Sequence, residues 1–258
     1  MRGSSLLPLL RFIARFTFLA LIILTGMVFL VLGYKVLNRK RRDEVIRRLS
    51  IALVKSTGIK IQYKGTPVLD GPVLLVANHV SWIDIFLLNC RRINRFIAKM
   101  EIQDWPIVGW MVSAVGTIYI DRSSRQGLRD INDKMAETFS RGDSIGLFPE
   151  GTTTEGFTVL PLYSGLFDVA IKMEIPVQPV ALLFTYKGER SGRVAFVGDQ
   201  SMIKNLWILL SSRKVGVTVK YLPMMQMPDK GELSRQELTD FVYQQLLNEV
   251  AAPQTSSR

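Results

Sequence analysis

The stretch "PVLLVANHVSWIDIFLLN", residues 72–89, indicates the fold of this chain. Its first half is an unbroken apolar run, typical of a strand that is buried on both faces of a sheet. Its second half has the composition and spacing of a helix. A buried strand that leads directly into a helix is the unit from which α/β domains with parallel sheets are built.

The same alternation continues on both sides of that stretch. Further short apolar runs predict strands, and together with the first they cover residues 72–79, 116–121, 144–150, 176–184, 193–199 and 215–222. Residues 124–141 have helical spacing, and Ser234 and Glu237 form a capping-box pattern that opens a last helix. The sequence therefore predicts an α/β fold with a mixed, largely parallel sheet flanked by helices.

An N-terminal membrane-anchoring helix is predicted before this sheet. Residues 16–34 carry no charge, and a helix of 19 residues reaches roughly 28 Å, close to the hydrocarbon thickness of a bilayer. The flank that follows is the more basic one, so the positive-inside rule places the rest of the chain in the cytoplasm. A tilted or half-inserted helix and a buried core helix are the alternatives.

A second, amphipathic helix is predicted after the anchor and ends at Gly58. It lies either on the membrane surface or on the folded domain. The predicted division is residues 1–58 for the anchor and amphipathic helix and residues 59–258 for one catalytic domain.

The net charge of +11 is concentrated at the N-terminus, which argues against a nucleic-acid partner. Residues 1–60 hold 12 Lys and Arg against 2 Asp and Glu, whereas residues 61–258 hold 21 against 20. Nucleic-acid-binding proteins spread basic residues over a folded face. One histidine and one cysteine, Cys90, cannot supply the ligands of a zinc site or an intramolecular disulfide, so no metal is predicted.

His79, the single histidine, follows the first predicted strand, where open α/β sheets place their sites. A continuous helix would rotate Asp84 about 140° away from it. A turn at Val80 and Ser81, with Ser81 as the N-cap, would instead fold the carboxylate onto the imidazole. The carboxylate could then keep one ring nitrogen protonated while the other accepts a proton from an alcohol. By itself, the pattern also fits a hydrogen-bonded histidine beside an acid in the first turn of a helix.

Two further stretches carry polar side chains at predicted strand ends. In "LFPEGTTTEG", residues 147–156, a Pro-Glu-Gly turn projects Glu150 and a row of threonine hydroxyls, which suits a polar headgroup. Lys99 and Arg122 add cations, and Arg122 could bind an anionic oxygen. Alone, each stretch is also compatible with a surface turn or an ordinary ion pair.

Five stretches in this order resemble the successive motif blocks of the glycerolipid and lysophospholipid acyltransferases, which include bacterial 1-acylglycerol-3-phosphate acyltransferases. They are "NHVSWID" (78–84), "KMEIQDWPIVG" (99–109), "GTIYIDR" (116–122), "FPEGTTT" (148–154) and "IPVQPV" (175–180). The resemblance covers about residues 60–225. It implies acyl transfer from acyl-CoA or acyl-carrier protein to a lysolipid hydroxyl, without a metal or another cofactor. With the positive-inside prediction, the expected location is the cytoplasmic side of a bacterial inner membrane.

The resemblance also implies the roles of individual residues. His79 would be the base, and Asp84 would orient it. Acceptor binding would fall to Arg122 and the "FPEGTT" residues, with Lys99 and Ser81 as further donor or acceptor contacts. The "FPEGTT" residues are Phe148, Pro149, Glu150, Gly151, Thr152 and Thr153.

The sequence departs from the family pattern at Thr153, where many phosphatidic-acid-forming members have an arginine. A hydroxyl offers a phosphate a weaker contact than a guanidinium does. Lysophosphatidate is the first acceptor expected, and lyso-ornithine lipid or another lysophospholipid is the alternative.

Two other functional classes are less favoured. A membrane-bound lipid hydrolase would require a G-x-S-x-G elbow, and "LYSGLF" lacks the first glycine. A non-catalytic adaptor would have no need of His79, Asp84 and Glu150.

Overall fold

The computed structural model describes residues 6–120, 125–226 and 233–252. Arg122 therefore lies outside the described residues. Within these ranges eight strands form one sheet. Their bounds are β1 Lys60–Lys64, β2 Leu74–Ala77, β3 Arg95–Lys99, β4 Ile118–Ile120, β5 Ile145–Leu147, β6 Val177–Tyr186, β7 Glu189–Arg190 and β8 Val215–Tyr221.

The strand order is β1-β8-β6-β2-β5-β3-β4, with β7 paired to β6. β6, β2, β5, β3 and β4 all run parallel to their neighbours in that row. Only the pairs that β6 makes with β7 and β8 are antiparallel. The predicted mixed, largely parallel sheet is confirmed, and the carboxyl ends of five parallel strands meet at one edge.

Helices cover both faces of the sheet. Their bounds are α1 Leu6–Val28, α2 Arg39–Thr57, α3 Asp84–Asn89, α4 Val108–Ala114, α5 Arg125–Ser140, α6 Asp168–Lys172, α7 Met202–Ser211 and α8 Arg235–Val250. α1, α2, α3 and α7 form one layer of the core, and α5, α6 and α8 form the other. In β2, Leu75 and Ala77 join the first layer while Leu74 and Val76 join the second, as strand alternation requires.

α1 is longer than the predicted anchor and continues as a π-helical turn, Phe29–Gly33. By length and composition alone, this helix could cross a membrane. It begins at Leu6, so it includes Arg11 and Arg15, which precede the uncharged residues 16–34. Both guanidinium groups donate to backbone carbonyls at the end of α7, Arg11 to Ser211 and Arg15 to Ser212 (2.7 Å). Its N-terminal half is therefore attached to the folded body.

α2 is the predicted amphipathic helix, and it packs on α1 and α3. The side chain of Asn38 accepts a hydrogen bond from the Arg41 N–H (3.0 Å) and opens the helix. Gly58 ends it with a φ of 73°, a left-handed conformation that favours glycine. The capping box formed by Ser234 and Glu237 is also confirmed at the start of α8.

The predicted strand at residues 193–199 is wrong, because irregular structure occupies that segment. Its backbone bonds to neighbouring loops and side chains instead of a sheet. The Asn205 amide donates to the Ala195 carbonyl (3.1 Å), and the Phe196 N–H donates to the Val80 carbonyl (2.9 Å). Conversely, β1 and β3 are strands that the sequence pattern did not reveal.

Candidate active site

The turn between β2 and α3 brings His79 and Asp84 together. Asp84 Oδ2 lies 2.8 Å from His79 Nδ1 and accepts the N–H groups of Val80 (2.7 Å) and Ser81 (2.9 Å). The predicted turn is confirmed, but the predicted N-cap role of Ser81 is wrong. Asp84 accepts the backbone bonds of the turn itself, and the Ser81 hydroxyl has no partner among the described residues.

This geometry determines which imidazole nitrogen is open. An ionised carboxylate can only accept, so Nδ1 of His79 carries the proton that points at Asp84. Nε2 is then the basic nitrogen, and no described residue bonds to it. The His79 side chain is 20% exposed and the Asp84 side chain 0%, so the imidazole can be reached while the carboxylate cannot.

Glu150 fixes the backbone of His79 from the next strand. Its carboxylate is buried and accepts the His79 N–H (2.8 Å) on one oxygen and the Leu160 N–H (2.8 Å) on the other. Burial raises the pKa of Glu150, while the two backbone hydrogen bonds oppose that rise. The exit of β5 is thereby joined to the exit of β2.

An aromatic stack supports the imidazole. The Phe148 ring lies parallel to the His79 ring, with 4.1 Å between centroids, and Phe96 lies behind Phe148 at 5.7 Å. Gly146 leaves the room for this stack, because a Cβ there would lie 2.3 Å from a Phe96 ring carbon. The stacked rings restrict rotation of the imidazole.

The "FPEGTTT" segment also closes around His79. The Thr154 N–H donates to the His79 carbonyl (2.8 Å), and the Thr153 hydroxyl donates to the Phe196 carbonyl. Gly151 makes the turn with a φ of 73°, a conformation that glycine adopts without strain. The Thr153 hydroxyl is therefore engaged by the protein.

The other predicted contacts differ in accessibility. Pro149 is buried, whereas Thr152 is exposed. Lys99 is exposed at the carboxyl end of β3, which adjoins β4. Thr152 and Lys99 are thus on the open side of this edge, and Arg122 is outside the described residues.

Sequence reasoning missed three residues that shape the site: Asn78, Phe96 and Leu160. The Asn78 amide donates to the Leu182 carbonyl (3.1 Å) and accepts the Leu182 N–H (2.7 Å), so it continues the pairing of β2 with β6 up to His79. An asparagine at the end of an apolar run was a usable signal for this role. Phe96 and Leu160 are distant in sequence and gave none.

Cys90 is a buried thiol at the end of α3. Burial raises its pKa to about 11, so it stays protonated at neutral pH. Its protonated state does not suit a nucleophile. Within the described ranges, no three His, Cys, Asp or Glu side chains gather as metal ligands.

Comparison with known proteins identifies the family. A protein-family model described as Acyltransferase matches residues 54–183. This chain belongs to the acyltransferase family. This acyltransferase is 37% identical over 167 residues to the lyso-ornithine lipid O-acyltransferase of Pseudomonas aeruginosa, a match that spans 64% of each protein. It is 37% identical over 184 residues to the 1-acyl-sn-glycerol-3-phosphate acyltransferase of Neisseria meningitidis, covering 70% of this chain and 71% of that protein.

A solved structure has the same fold as this acyltransferase. The crystal structure of the 1-acyl-sn-glycerophosphate (LPA) acyltransferase PlsC from Thermotoga maritima aligns with a TM-score of 0.69 over 94% of both chains. Sequence identity is 22%, so this likeness shows the fold alone. It extends through the N-terminal apolar helix as well as the sheet.

Proposed function

We propose that this acyltransferase moves an acyl chain from an acyl-CoA or acyl-carrier-protein thioester to the free hydroxyl of a lysolipid, with His79 as the general base. The observation that carries the proposal is the 2.8 Å contact between His79 Nδ1 and Asp84 Oδ2, which leaves Nε2 open as a base. Asp84 orients the imidazole and stabilises the imidazolium that forms.

Transfer is direct in this proposal. His79 Nε2 takes the hydroxyl proton as the lysolipid oxygen attacks the thioester carbonyl carbon. The new ester bond forms, the C–S bond breaks, and the thiolate leaves either with the imidazolium proton or without it. Ser81, the hydroxyl nearest to His79 in sequence, is fully buried, which supports a route without an acyl-enzyme.

The surrounding residues divide into two roles. Glu150 and Phe148 position His79, because one holds its backbone N–H and the other stacks on its ring. We assign acceptor or donor contacts to the more accessible residues Gly151, Thr152, Thr153 and Lys99 of the same edge, and to Arg122, which lies outside the described residues.

The first acceptor we propose is 1-acylglycerol-3-phosphate. Lys99 ends β3 at the edge that carries His79, and Arg122, which lies outside the described residues, follows β4 by two residues in the sequence. Together they would bind a phosphate. Thr153 favours the second candidate, lyso-ornithine lipid. Its side chain carries no charge, and its hydroxyl proton is already donated to the Phe196 carbonyl, so it contributes little to binding a phosphate.

We propose that residues 1–58 hold the enzyme on the cytoplasmic face of a bacterial inner membrane. α1 contacts α2, and its Arg11 and Arg15 bond to the end of α7, so the folded body lies beside the helix. An upright crossing would put that body into the hydrocarbon. A helix lying half-inserted, with its exposed apolar face in lipid, satisfies both the packing and the composition.

A transfer assay tests the proposal. Purified enzyme in vesicles receives a labelled acyl thioester and, separately, lysophosphatidate, lyso-ornithine lipid or lysophosphatidylcholine, and products are resolved by headgroup. We expect labelled phosphatidic acid as the main product. Labelled ornithine lipid would favour the second candidate, and labelled free fatty acid without lipid product would reveal a hydrolase and overturn the proposal.

A further inference from the structure

A basic groove lies at the edge of the sheet opposite His79. It consists of two adjoining cavities of about 300 and about 290 Å³, whose walls share Arg39, Asp43 and Asp143. The first cavity reaches Arg95, the first residue of β3. Since β2, β5 and β3 are parallel and His79 follows the carboxyl end of β2, the groove lies at the amino edge, apart from the proposed transfer site.

The groove is strongly cationic. Seven Lys and Arg side chains line the two cavities, against three acidic side chains. Asp143 Oδ1 accepts from Arg39 (2.8 Å) and Arg95 (3.1 Å), so those two cations are partly neutralised and hold the walls together. A net positive charge remains for an anionic ligand.

Arg42 supplies an ordered cation in the first cavity. Its Nε donates to the Leu37 carbonyl (2.7 Å), and its guanidinium lies 4.6 Å from the centroid of the Tyr34 ring. Across the part of the chain that is described, no carboxylate pairs with Arg42, and its Nη groups stay available. Arg141, which directly follows α5, lines the same cavity from another element, and its guanidinium also pairs with the exposed Glu137 carboxylate.

The groove also lies at the level of lipid headgroups if α1 is inserted. Tyr34 lines the first cavity and directly follows Gly33, the last residue of the apolar helix. Tyrosine and basic side chains belong at the interface between hydrocarbon and water. We propose that this groove binds the phosphate of an anionic phospholipid headgroup, with Arg42 and Arg141 as its contacts.

Thermal unfolding of the full chain in detergent tests this proposal, since a ligand that binds the folded state raises Tm. The probes are short-chain phosphatidylglycerol and short-chain phosphatidylcholine. We expect phosphatidylglycerol alone to raise the Tm of the wild type and of Arg41→Gln. Arg42→Gln and Arg141→Gln should each lose more than half of that shift, measured from their own lipid-free Tm.

Arg41→Gln is a matched control, because Arg41 is exposed, adjacent to Arg42 and outside both cavity linings. Equal losses in Arg41→Gln and Arg42→Gln would show diffuse attraction and overturn the proposal. So would equal shifts with both lipids, or no shift with either. An equal shift with glycerol phosphate would indicate a soluble phosphate ester as the ligand and overturn the lipid assignment.

If Arg42→Gln does not fold, Arg141→Gln decides the outcome. Phosphatidylglycerol is not the proposed acceptor, so the result is independent of the transfer assay.

Discussion

The two edges of the sheet hold their carboxylates with different partners. At the carboxyl edge, Asp84 and Glu150 are buried and accept hydrogen bonds from backbone N–H groups. Among the described residues, the His79 imidazole is the one side chain that hydrogen-bonds to Asp84. At the amino edge, Asp43 and Asp143 are partly exposed and accept from guanidinium groups on long side chains.

This difference determines how closely each carboxylate is held in position. Backbone donors are held by the chain on both sides, so they place a carboxylate within a narrow range of positions. Guanidinium groups on flexible stems adjust to one another and to solvent, and exposed pairs of this kind contribute about 0–1 kcal/mol each. We therefore expect substitutions at the carboxyl edge to affect the rate of transfer and those at the amino edge to affect stability or lipid binding.

After His79 itself, the largest expected loss is at Asp84. Asp84→Asn removes the charge that stabilises the imidazolium, and comparable changes in His–Asp catalytic pairs cost on the order of 10⁴ in rate. We expect kcat to fall by about 10² to 10⁴, the range that general-base catalysis contributes to rate. Initial rates of labelled acyl transfer measure this effect.

Asp143→Asn is the control for that prediction, because it makes the same chemical change at the amino edge. Its rate should stay within about threefold of the wild type, since the ion pairs that it loses, with Arg39 and Arg95, lie at the edge opposite His79. Similar losses in Asp84→Asn and Asp143→Asn would contradict the contrast between the edges.

Glu150→Gln should have an intermediate effect. The amide can still accept the His79 N–H but cannot accept the Leu160 N–H on its nitrogen, so the backbone of His79 is held less firmly. A lost buried hydrogen bond costs about 1–3 kcal/mol, which corresponds to a fall in kcat of roughly 5- to 150-fold. The KM for the lysolipid should change less than twofold; a raised KM with unchanged kcat would make Glu150 an acceptor contact instead.

The same variant should change the pH dependence of stability. Burial raises the pKa of Glu150 above its ordinary value of 4.5, so folding favours the protonated form. The stability that the protonated Glu150 side chain contributes is fully present below pH 4.5, and it is lost as pH rises through the folded-state pKa. The wild type should therefore lose stability relative to Glu150→Gln as pH rises from 4.5. Measuring the Tm of both proteins at a series of pH values above 4.5 checks this prediction. Curves of Tm against pH that run parallel for the two proteins would refute it.

The smallest effect on activity is expected at Arg95. This side chain is 11% exposed and donates to the Val115 carbonyl (2.8 Å), Asp43 (3.1 Å) and Asp143 (3.1 Å). Arg95→Gln should lower the free energy of unfolding by about 1 kcal/mol or somewhat more, while kcat and KM stay within about twofold. Denaturant unfolding and the transfer assay measure the two quantities, and a tenfold loss of kcat would show that the edges are coupled.

The parts of the fold that sequence predicted have local causes. β2 was recognisable as a continuous apolar run, and the ends of α2 and α8 carried their own capping residues. β1 was missed because its residues alternate between exposed and half-buried, and three of its five residues are polar or charged at the sheet margin. Residues 193–199 were mistaken for a strand because they contain an apolar run. Val194 and Ala195 of that run are buried, but the Asn205 amide rather than a neighbouring strand bonds their carbonyls.

The candidate site shows the same limit. The pair formed by His79 and Asp84 was predictable because five residues and one turn connect them. The bond from Glu150 to the His79 backbone joins residues 71 positions apart, and no periodicity in the sequence encodes it. Sequence pattern predicted that Glu150 belongs to the site, and the structure was needed to show what its carboxylate touches.

The central claim is that the His79 imidazole is the base for acyl transfer, and His79→Ala tests it most directly. The measurement is the initial rate of labelled acyl transfer to lysophosphatidate and to lyso-ornithine lipid by the variant and the wild type, with Tm confirming that both are folded. General-base catalysis is worth about 10² to 10⁴ in rate, so we predict a loss of at least about a hundredfold with every lysolipid that the wild type accepts. A folded His79→Ala enzyme that transfers at near the wild-type rate would contradict the account.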